Sequence, residues 1–290
     1  MNRVIRRTDE GWEYDADLGH AELIIRTLNL AESKAVTTAG EDEKEWKMEE
    51  ESEPLEGVQA REYRGIAARA KYLAADRPDI QYAVKEICKK MSNPVASDWR
   101  KLKRLAKYLV KHPRMVQKFD LQEPTDDVRV YSDSDWAGCR KTRKSTSGGA
   151  IMIGNHCIRS WSKTQATLAL SSAEAELVAL VKATCEGIGM SSLLRDIGRK
   201  SRIQVFADAS AALGIVSRKG IGKLRHLDTS MLWIQRKELR NSVEFLKVDG
   251  AINPADLMTK NLAAPTASIH KETLRIEDRS GRAQNASNLR

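Results

Sequence analysis

The second half of the chain is predicted to be an α/β domain: a mixed five-stranded sheet with helices on both faces, preceded by a small, mostly helical region. Three observations predict it. Apolar runs of strand length recur at 128–133, 150–153, 157–161, 203–207 and 243–248, the length and residue types of half-buried or buried strands. Between the third and fourth runs, Ser171 and Glu174 form a capping-box pair that opens a helix. Its buried stripe is Leu177, Leu180, Val181, Thr184 and Ile188, at helical spacing. The order is therefore three strands, helix, strand, one or two helices, strand, helix. The first three strands can pair antiparallel through short turns, whereas the later ones need helical crossovers and so pair in parallel.

The composition of the 290 residues sets the class. Forty-nine Lys and Arg against 40 Asp and Glu give a net charge of +9, which suits a polyanionic partner without demanding one. Cys88, Cys139, Cys157 and Cys185 are scattered, with no paired spacing. That argues against a zinc site or a disulfide framework and suits a reducing compartment. The sequence shows no apolar stretch of about 20 residues, so no membrane span is expected. The basic start has no apolar core, so an intracellular location, cytoplasmic or nuclear, is expected.

Before the α/β domain, residues 1–40 suggest a hairpin around Glu10 and Gly11 and a helix over 18–28. Residues 41–58 are dominated by acids and nearly free of branched apolar side chains, a linker composition. The helical region over 59–126 follows, with helices at 62–75 and 79–91 separated where Pro78 interrupts the pattern. The next helix has Ser97 as its expected N-cap and Trp99, Leu102, Ala106, Leu109 and Val110 as its apolar stripe. Arg100, Arg104, Lys107 and Lys111 align on another face. A solvated face is the plainer account of that row; a phosphate-tracking surface is the functional one.

Within the α/β domain, 127–262, Gly154 and Asn155 make the turn of a hairpin, and helices are expected over 210–216 and 229–239. Pro254 suits the first turn of a last short helix. Residues 263–290 are polar and aperiodic, and a disordered tail is expected there. Trp136 and Trp161 both flank strands and are expected in the core.

Four carboxylates stand out. Asp133 and Asp208 end β-like runs, while Glu176 and Asp256 lie near the starts of helical segments. Strand ends and first helical turns can converge at one edge of a sheet. Clustered carboxylates repel one another unless cations lie between them, so the set implies divalent metal. Two such ions clamped by carboxylates are a device for cutting phosphodiesters. Any one carboxylate at a strand end is most simply a turn residue; it is the set of four in this order that points to a metal-dependent nuclease.

The wording of the chain carries a resemblance. YSDSDWAG, RKSTSGG, SWSKTQATLALSSAEAEL, FADASAA, RHLD and NPADLMTKNL resemble the ribonuclease H domain of Ty1/Copia-type retrotransposon Pol polyproteins. EYRGIAARAKYLAADRPDIQYAV and MSNPVASDWRKLKRLAKYL resemble the connection that joins reverse transcriptase to that domain, and WEYDADLGHAELIIRTLNL the stretch after the polymerase palm. The likeness spans nearly everything but the acidic linker and the tail.

The resemblance implies a ribonuclease H-like fold and hydrolysis of the RNA strand of RNA–DNA hybrids. Asp133, Glu176, Asp208 and Asp256 match the family's catalytic, metal-binding residues. Two Mg²⁺ ions are implied, with Mn²⁺ as a substitute. One is held mainly by Asp133 and Asp256 and activates water; the other, held mainly by Asp133, Glu176 and Asp208, stabilises the leaving oxygen. Glu176 fits the family glutamate better than Glu174, which the cap explains; Asp135, two residues beyond Asp133, is the other near miss. Arg143, Lys144, Ser145 and Thr146 lie between the first two strands and are candidate contacts to the nucleic-acid backbone, as are Ser171 and Ser172 at a helix N-terminus. Capping and a basic loop are the plainer accounts of these. His226 in RHLD matches a family histidine of underived role.

The chain also departs from the family. An Asn-Gln pair usually follows the third carboxylate, where this chain has Ala209 and Ser210, and no histidine precedes Asp256 over 248–253. No Tyr-x-Asp-Asp polymerase signature is present. Two other readings therefore stand beside the nuclease. One is a non-catalytic nucleic-acid-binding remnant, which binds hybrid without cutting it. The other is a structural module that works only with the palm and fingers of a reverse transcriptase partner.

Overall fold

The computed structural model describes residues 3–41, 52–220, 232–240 and 242–283. The chain divides into two compact units: 1–121 with 261–290, and 122–260.

The first unit opens with strands β1 (Val4–Thr8) and β2 (Gly11–Asp15), the hairpin expected around Glu10 and Gly11. Gly11 adopts φ +147°, and a Cβ there would meet the Asp120 backbone at 2.9 Å, so only glycine fits that turn. Helix α1 (Leu18–Thr27) is capped by Asp17, whose side chain accepts from the Gly19 N–H at 3.0 Å. Helices α2 (Gly57–Ala74), α3 (Gln81–Cys88) and α4 (Ala96–Lys111) follow, with a 3₁₀ turn at Pro78–Ile80 where the chain breaks. Their apolar faces, including Tyr63, Ile66, Leu73, Ile87, Leu102 and Leu109, bury one core with Ile24 of α1.

Ser97 is not the cap of α4. The helix starts one residue before it, and Asp98 instead accepts from the Val95 N–H at 3.0 Å. In the basic row of α4, Arg104 is held by its own chain, 2.8 Å from Thr38 and 2.6 Å from Glu41. Deeper in this unit, Arg77 and Asp79 form a salt bridge at 2.7 Å with both side chains only 1% exposed. Tyr108 donates to the same Asp79 carboxylate, and the His112 carbonyl accepts from Arg77. Burial pushes the Asp79 carboxyl up, but the adjacent guanidinium outweighs it and holds the group below its ordinary range. Strand β3 (Arg114–Asp120) then pairs with β2.

The second unit begins with β4 (Asp127–Asp135), β5 (Thr146–Ile153) and β6 (His156–Thr164), an antiparallel meander. Helix α5 (Ser172–Asp196) returns the chain to β7 (Arg202–Ala207), parallel to β4. Helices α6 (Ser210–Val216) and α7 (Trp233–Leu239) lead to β8 (Glu244–Lys247), parallel to β7. The five-stranded order is β6-β5-β4-β7-β8, and the sheet is mixed, with the first three strands antiparallel and the later ones parallel, as expected from the sequence. Val128, Val130, Ile151, Val205 and Trp161 pack with Leu177, Leu180 and Ala183 of α5 and with Ile215 and Val216 of α6.

Helix α5 is long and apolar enough, by length and composition, to cross a membrane, although no such stretch is expected from the sequence. Its first half is the core helix of this unit, and Glu174, Glu176, Lys182 and Glu186 interrupt its apolar run. After β8 come 3₁₀ turns at Gly250–Ile252 and Pro254–Met258. A Cβ on Gly148 of β5 would lie 2.5 Å from the Thr259 methyl and 3.0 Å from the Ala255 carbonyl, so the second turn rests directly on that glycine.

The chain then returns to the first unit. Residues 263–283 are not a disordered tail: helix α8 (Ala264–Thr273) leads to β9 (Ile276–Arg279), which pairs antiparallel with β3. This completes a four-stranded sheet, β1-β2-β3-β9, in a unit expected to be mostly helical. A four-residue strand carrying Glu277, Asp278 and Arg279 shows no apolar alternation, because charged partners hold it. Arg279 meets Glu13 at 2.6 Å, and Lys271 and His112 both meet Asp278.

Candidate active site

β4, β7 and β8 run in parallel, so Asp133, Asp208 and the segment after β8 all emerge at one edge of the second unit's sheet. Carboxyl ends of parallel strands are where loops converge on ligands. Asp133 projects from the β4 face opposite Val128, Val130 and Ser132, by the alternation of the strand. Asp208 follows the last residue of β7, and Asp256 sits in the second 3₁₀ turn. Ligand atoms of Asp133, Asp208 and Asp256 all lie within 4.8 Å of one another.

Glu176 comes from the first turns of α5. Its Oε1 accepts from both the backbone N–H and the hydroxyl of Ser134, one residue beyond Asp133. Glu174 instead accepts from the Leu170 N–H at 2.7 Å and receives the Ser171 cap at its own N–H. The two glutamates thus divide capping from the cluster. Asp135 turns aside: its carboxylate lies against Gly138, where a Cβ would collide with it.

The electrostatics are those of a cluster short of positive charge. Burial, then Asp133, pushes the Glu176 carboxyl up to about 8. Burial, then Asp256, pushes Asp133 up to about 6. Asp208 is also raised, by burial and then by Asp133. Among the described residues, Glu176 Oε2 and Asp256 Oδ1 are buried with no hydrogen-bond partner. An orphaned carboxylate oxygen in a protein interior is costly unless something else satisfies it. All-oxygen donors, orphaned atoms and raised carboxyls together fit a hard divalent cation such as Mg²⁺.

Several supporting residues were not singled out from the sequence. Asn253 is fully buried; its amide donates to the Ser132 carbonyl at 3.0 Å while its oxygen caps Ala255 at 3.2 Å. It therefore ties the Asp256 turn to β4. Thr259 donates its hydroxyl to Asp133. Lys260 reaches Asp256 at 2.9 Å and Asp133 at 3.7 Å. Gln165, also buried, donates to the Ala175 carbonyl at 2.8 Å and to the Ser147 hydroxyl at 3.0 Å, tying α5 to β5. A Cβ on Gly250 would lie 2.9 Å from Asp208 Oδ2, so glycine there leaves that carboxylate its room.

The remaining candidates separate by exposure. Arg143 is exposed, with φ +54°, and Lys144 is half-buried. Ser145 is fully buried and its hydroxyl accepts from the Ala137 N–H at 3.0 Å, which holds the turn and leaves the side chain no exposed surface. Thr146 is likewise buried. Ser172 is exposed in the first turn of α5. His226 lies outside the described residues. Trp161 is in the core, but Trp136 is 48% exposed, its indole N–H donating to the Ala169 carbonyl at 3.1 Å. The expectation that both tryptophans are core fails because β4 ends at Asp135 and Trp136 rides on the turn beyond it.

No protein-family model matches the chain. It is 31% identical over 205 residues to the retrovirus-related Pol polyprotein from transposon RE1 of Arabidopsis thaliana, a match covering 70% of this chain and 14% of that protein. It is 27% identical over 259 residues to the Pol polyprotein from transposon TNT 1-94 of Nicotiana tabacum, covering 87% of this chain and 19% of that protein. The chain thus spans less than a fifth of these polyproteins. Among solved structures, the N-terminal RNase H domain of a Mycobacterium tuberculosis protein aligns over 51% of this chain and 99% of its own, with 14% identity and a TM-score of 0.34. With matches of this extent to several such polyproteins, the chain belongs to the Pol polyproteins of Copia-type retrotransposons.

Proposed function

We propose that the second unit is a ribonuclease H that cuts the RNA strand of RNA–DNA hybrids endonucleolytically, with divalent metal. The observation that carries this reading is the convergence of Asp133, Asp208 and Asp256 within 4.8 Å, beside Glu176, at the carboxyl edge of the sheet. These four residues would hold the ions, Mg²⁺ or Mn²⁺ in its place. Bound there, such ions supply a water of lowered pKa and positive charge against the leaving oxygen.

The chain's own work is to hold the carboxylates in place and give up their protons. Ser134 fixes Glu176, Asn253 fixes the Asp256 turn on β4, and Thr259 fixes Asp133. Glu176, raised by burial and the Asp133 charge to about 8, would carry a proton near neutrality that ion binding would release. Selectivity for RNA would come from contacts to 2′-hydroxyls. Exposed Trp136, Arg143 and Ser172, with Lys144, are the groups offered to the hybrid.

The test is to incubate the whole chain with a labelled hybrid in Mg²⁺, beside Asp133→Asn and an EDTA control. RNA cleavage lost in both controls supports the reading; cleavage that survives Asp133→Asn sinks the site. A second reading is favoured by the small share of the polyproteins that the chain spans. In it, cleavage requires a reverse transcriptase partner, and adding the palm and fingers region would restore cutting to a chain that binds hybrid without cleaving it.

A further inference from the structure

Lys260 is placed where a metal ion would compete with it. It follows the Asp256 turn by one helical step, and its backbone N–H bonds the Asp256 carbonyl at 3.3 Å. That fold-back brings its ammonium to 2.9 Å from Asp256 Oδ2 and 3.7 Å from Asp133 Oδ2, between two carboxylates of the cluster. The ammonium pairs with two of the four carboxylates and, among the described residues, leaves Asp256 Oδ1 and Glu176 Oε2 without partners. The satisfaction is partial, so the site still attracts more positive charge. The side chain is also 45% exposed. Its stem is flexible and its head can return to water, unlike a buried structural lysine.

We propose that Lys260 is a tethered counter-ion of the carboxylate cluster, displaced when a divalent ion binds, and so a positioning residue that sets the ion concentration at which the site loads. This rests on the reading that the cluster binds divalent metal. A tethered ammonium is always present at high local concentration, so an incoming ion must outcompete it. In return, it offsets carboxylate repulsion in the ion-free protein and lets the Asp256 turn stay seated on β5. Arginine at this position would compete in the same way, whereas methionine keeps the stem and loses the charge.

The experiment measures Mn²⁺ binding to the full chain by electron paramagnetic resonance, without nucleic acid, for the wild type, Lys260→Met, Lys260→Arg and Asp256→Asn. Lys260→Met is expected to bind Mn²⁺ about tenfold more tightly, the scale of removing one nearby like charge from a partly exposed site. Lys260→Arg is expected to stay near the wild type. Equal or weaker binding by Lys260→Met, with the wild type binding and Asp256→Asn impaired, overturns the proposal and leaves the metal site standing. A wild type that binds no Mn²⁺, or an Asp256→Asn variant that binds as well as the wild type, overturns the metal site and the proposal with it. Melting in EDTA gives a second readout. Lys260→Met should lower the midpoint, and adding Asp256→Asn to it should recover part of the loss; no recovery counts against the counter-ion role.

Discussion

Glu176 Oε1 accepts two hydrogen bonds from a single residue, the Ser134 backbone N–H at 3.1 Å and the Ser134 hydroxyl at 2.9 Å. This pair of hydrogen bonds locks the first turns of α5 onto the end of β4 and fixes which oxygen of Glu176 remains for an ion. Ser134→Ala removes the hydroxyl and keeps the backbone bond. Metal affinity or cleavage is expected to fall about 10–100-fold, the usual cost of losing a group that orients a ligand. Circular dichroism should be unchanged, and an unaffected Mn²⁺ affinity would show that the backbone N–H suffices.

The carboxyl cluster gives the metal-free protein a defined pH dependence. Glu176 is raised from an ordinary value of 4.5 to about 8, and Asp133 from 3.8 to about 6. The folded state therefore binds more protons than the unfolded state between those limits. Stability from these groups is full below about pH 4 and is lost as pH rises through 6 and 8. In EDTA, the second unit should melt at a lower temperature at pH 9 than at pH 6, and Glu176→Gln should shrink the difference. Added Mg²⁺ should reverse it. A wild-type midpoint that climbs from pH 6 to pH 9 in EDTA would contradict the burial of this acid.

Gly148 is the floor under the Asp256 turn. A methyl there would press on the Thr259 methyl at 2.5 Å and on the Ala255 carbonyl at 3.0 Å. Gly148→Ala is expected to cost about 1–3 kcal/mol by overpacking. The larger effect is on the site, because lifting the turn moves Asp256, Thr259 and Lys260 together. Cleavage should drop more than either the melting point or hybrid binding does, which steady-state kinetics beside a gel-shift assay would test.

Arg77 and Asp79 are the stability risk of the first unit. With both side chains 1% exposed, removing one leaves the other charged and buried. Arg77→Met is expected to destabilise the unit by roughly 3–5 kcal/mol. Combining it with Asp79→Leu should recover much of that, though the Tyr108 hydroxyl loses its acceptor too. Urea unfolding of the single and double variants measures this, and equal losses in both would assign the cost to packing instead.

In the loop between β4 and β5, Arg143 is exposed and Lys144 half-buried, and both are proposed contacts to a polyanion. Changing both to alanine should weaken hybrid binding several-fold and reduce the slope of log affinity against log salt by roughly one for each phosphate that is no longer neutralised. A weaker affinity with an unaltered slope would mean that the loop acts by shape rather than charge.

The second unit was largely legible in the sequence because its signals are local. The capping box at Ser171 and Glu174 assigned one glutamate to the helix end and so released Glu176 for the cluster. The β-like run over 128–133 marked Asp133 as a carboxylate at a strand end. What the sequence hid depends on the chain doubling back. Nothing in NPADLMTK says that Thr259 and Lys260 will meet Asp133, since that follows only once a 3₁₀ turn settles on Gly148. Ser145 reads as a polar loop residue until the turn beyond β4 buries it under Ala137. β9 carries no apolar alternation and is held by ion pairs to residues more than 150 positions away, such as Glu13 and His112.

That strand makes the first unit a discontinuous domain. Residues 122–260 form an insertion between Leu121 and Asn261, and the last strand of the four-stranded sheet is supplied from beyond the insertion. During vectorial synthesis the inserted unit is complete while the first still lacks its closing strand, leaving the β3 edge unpaired and Glu13 with Arg6 but without Arg279. Truncating the chain at the end of the nuclease-like unit would therefore spare the insertion and leave its host domain permanently unfinished.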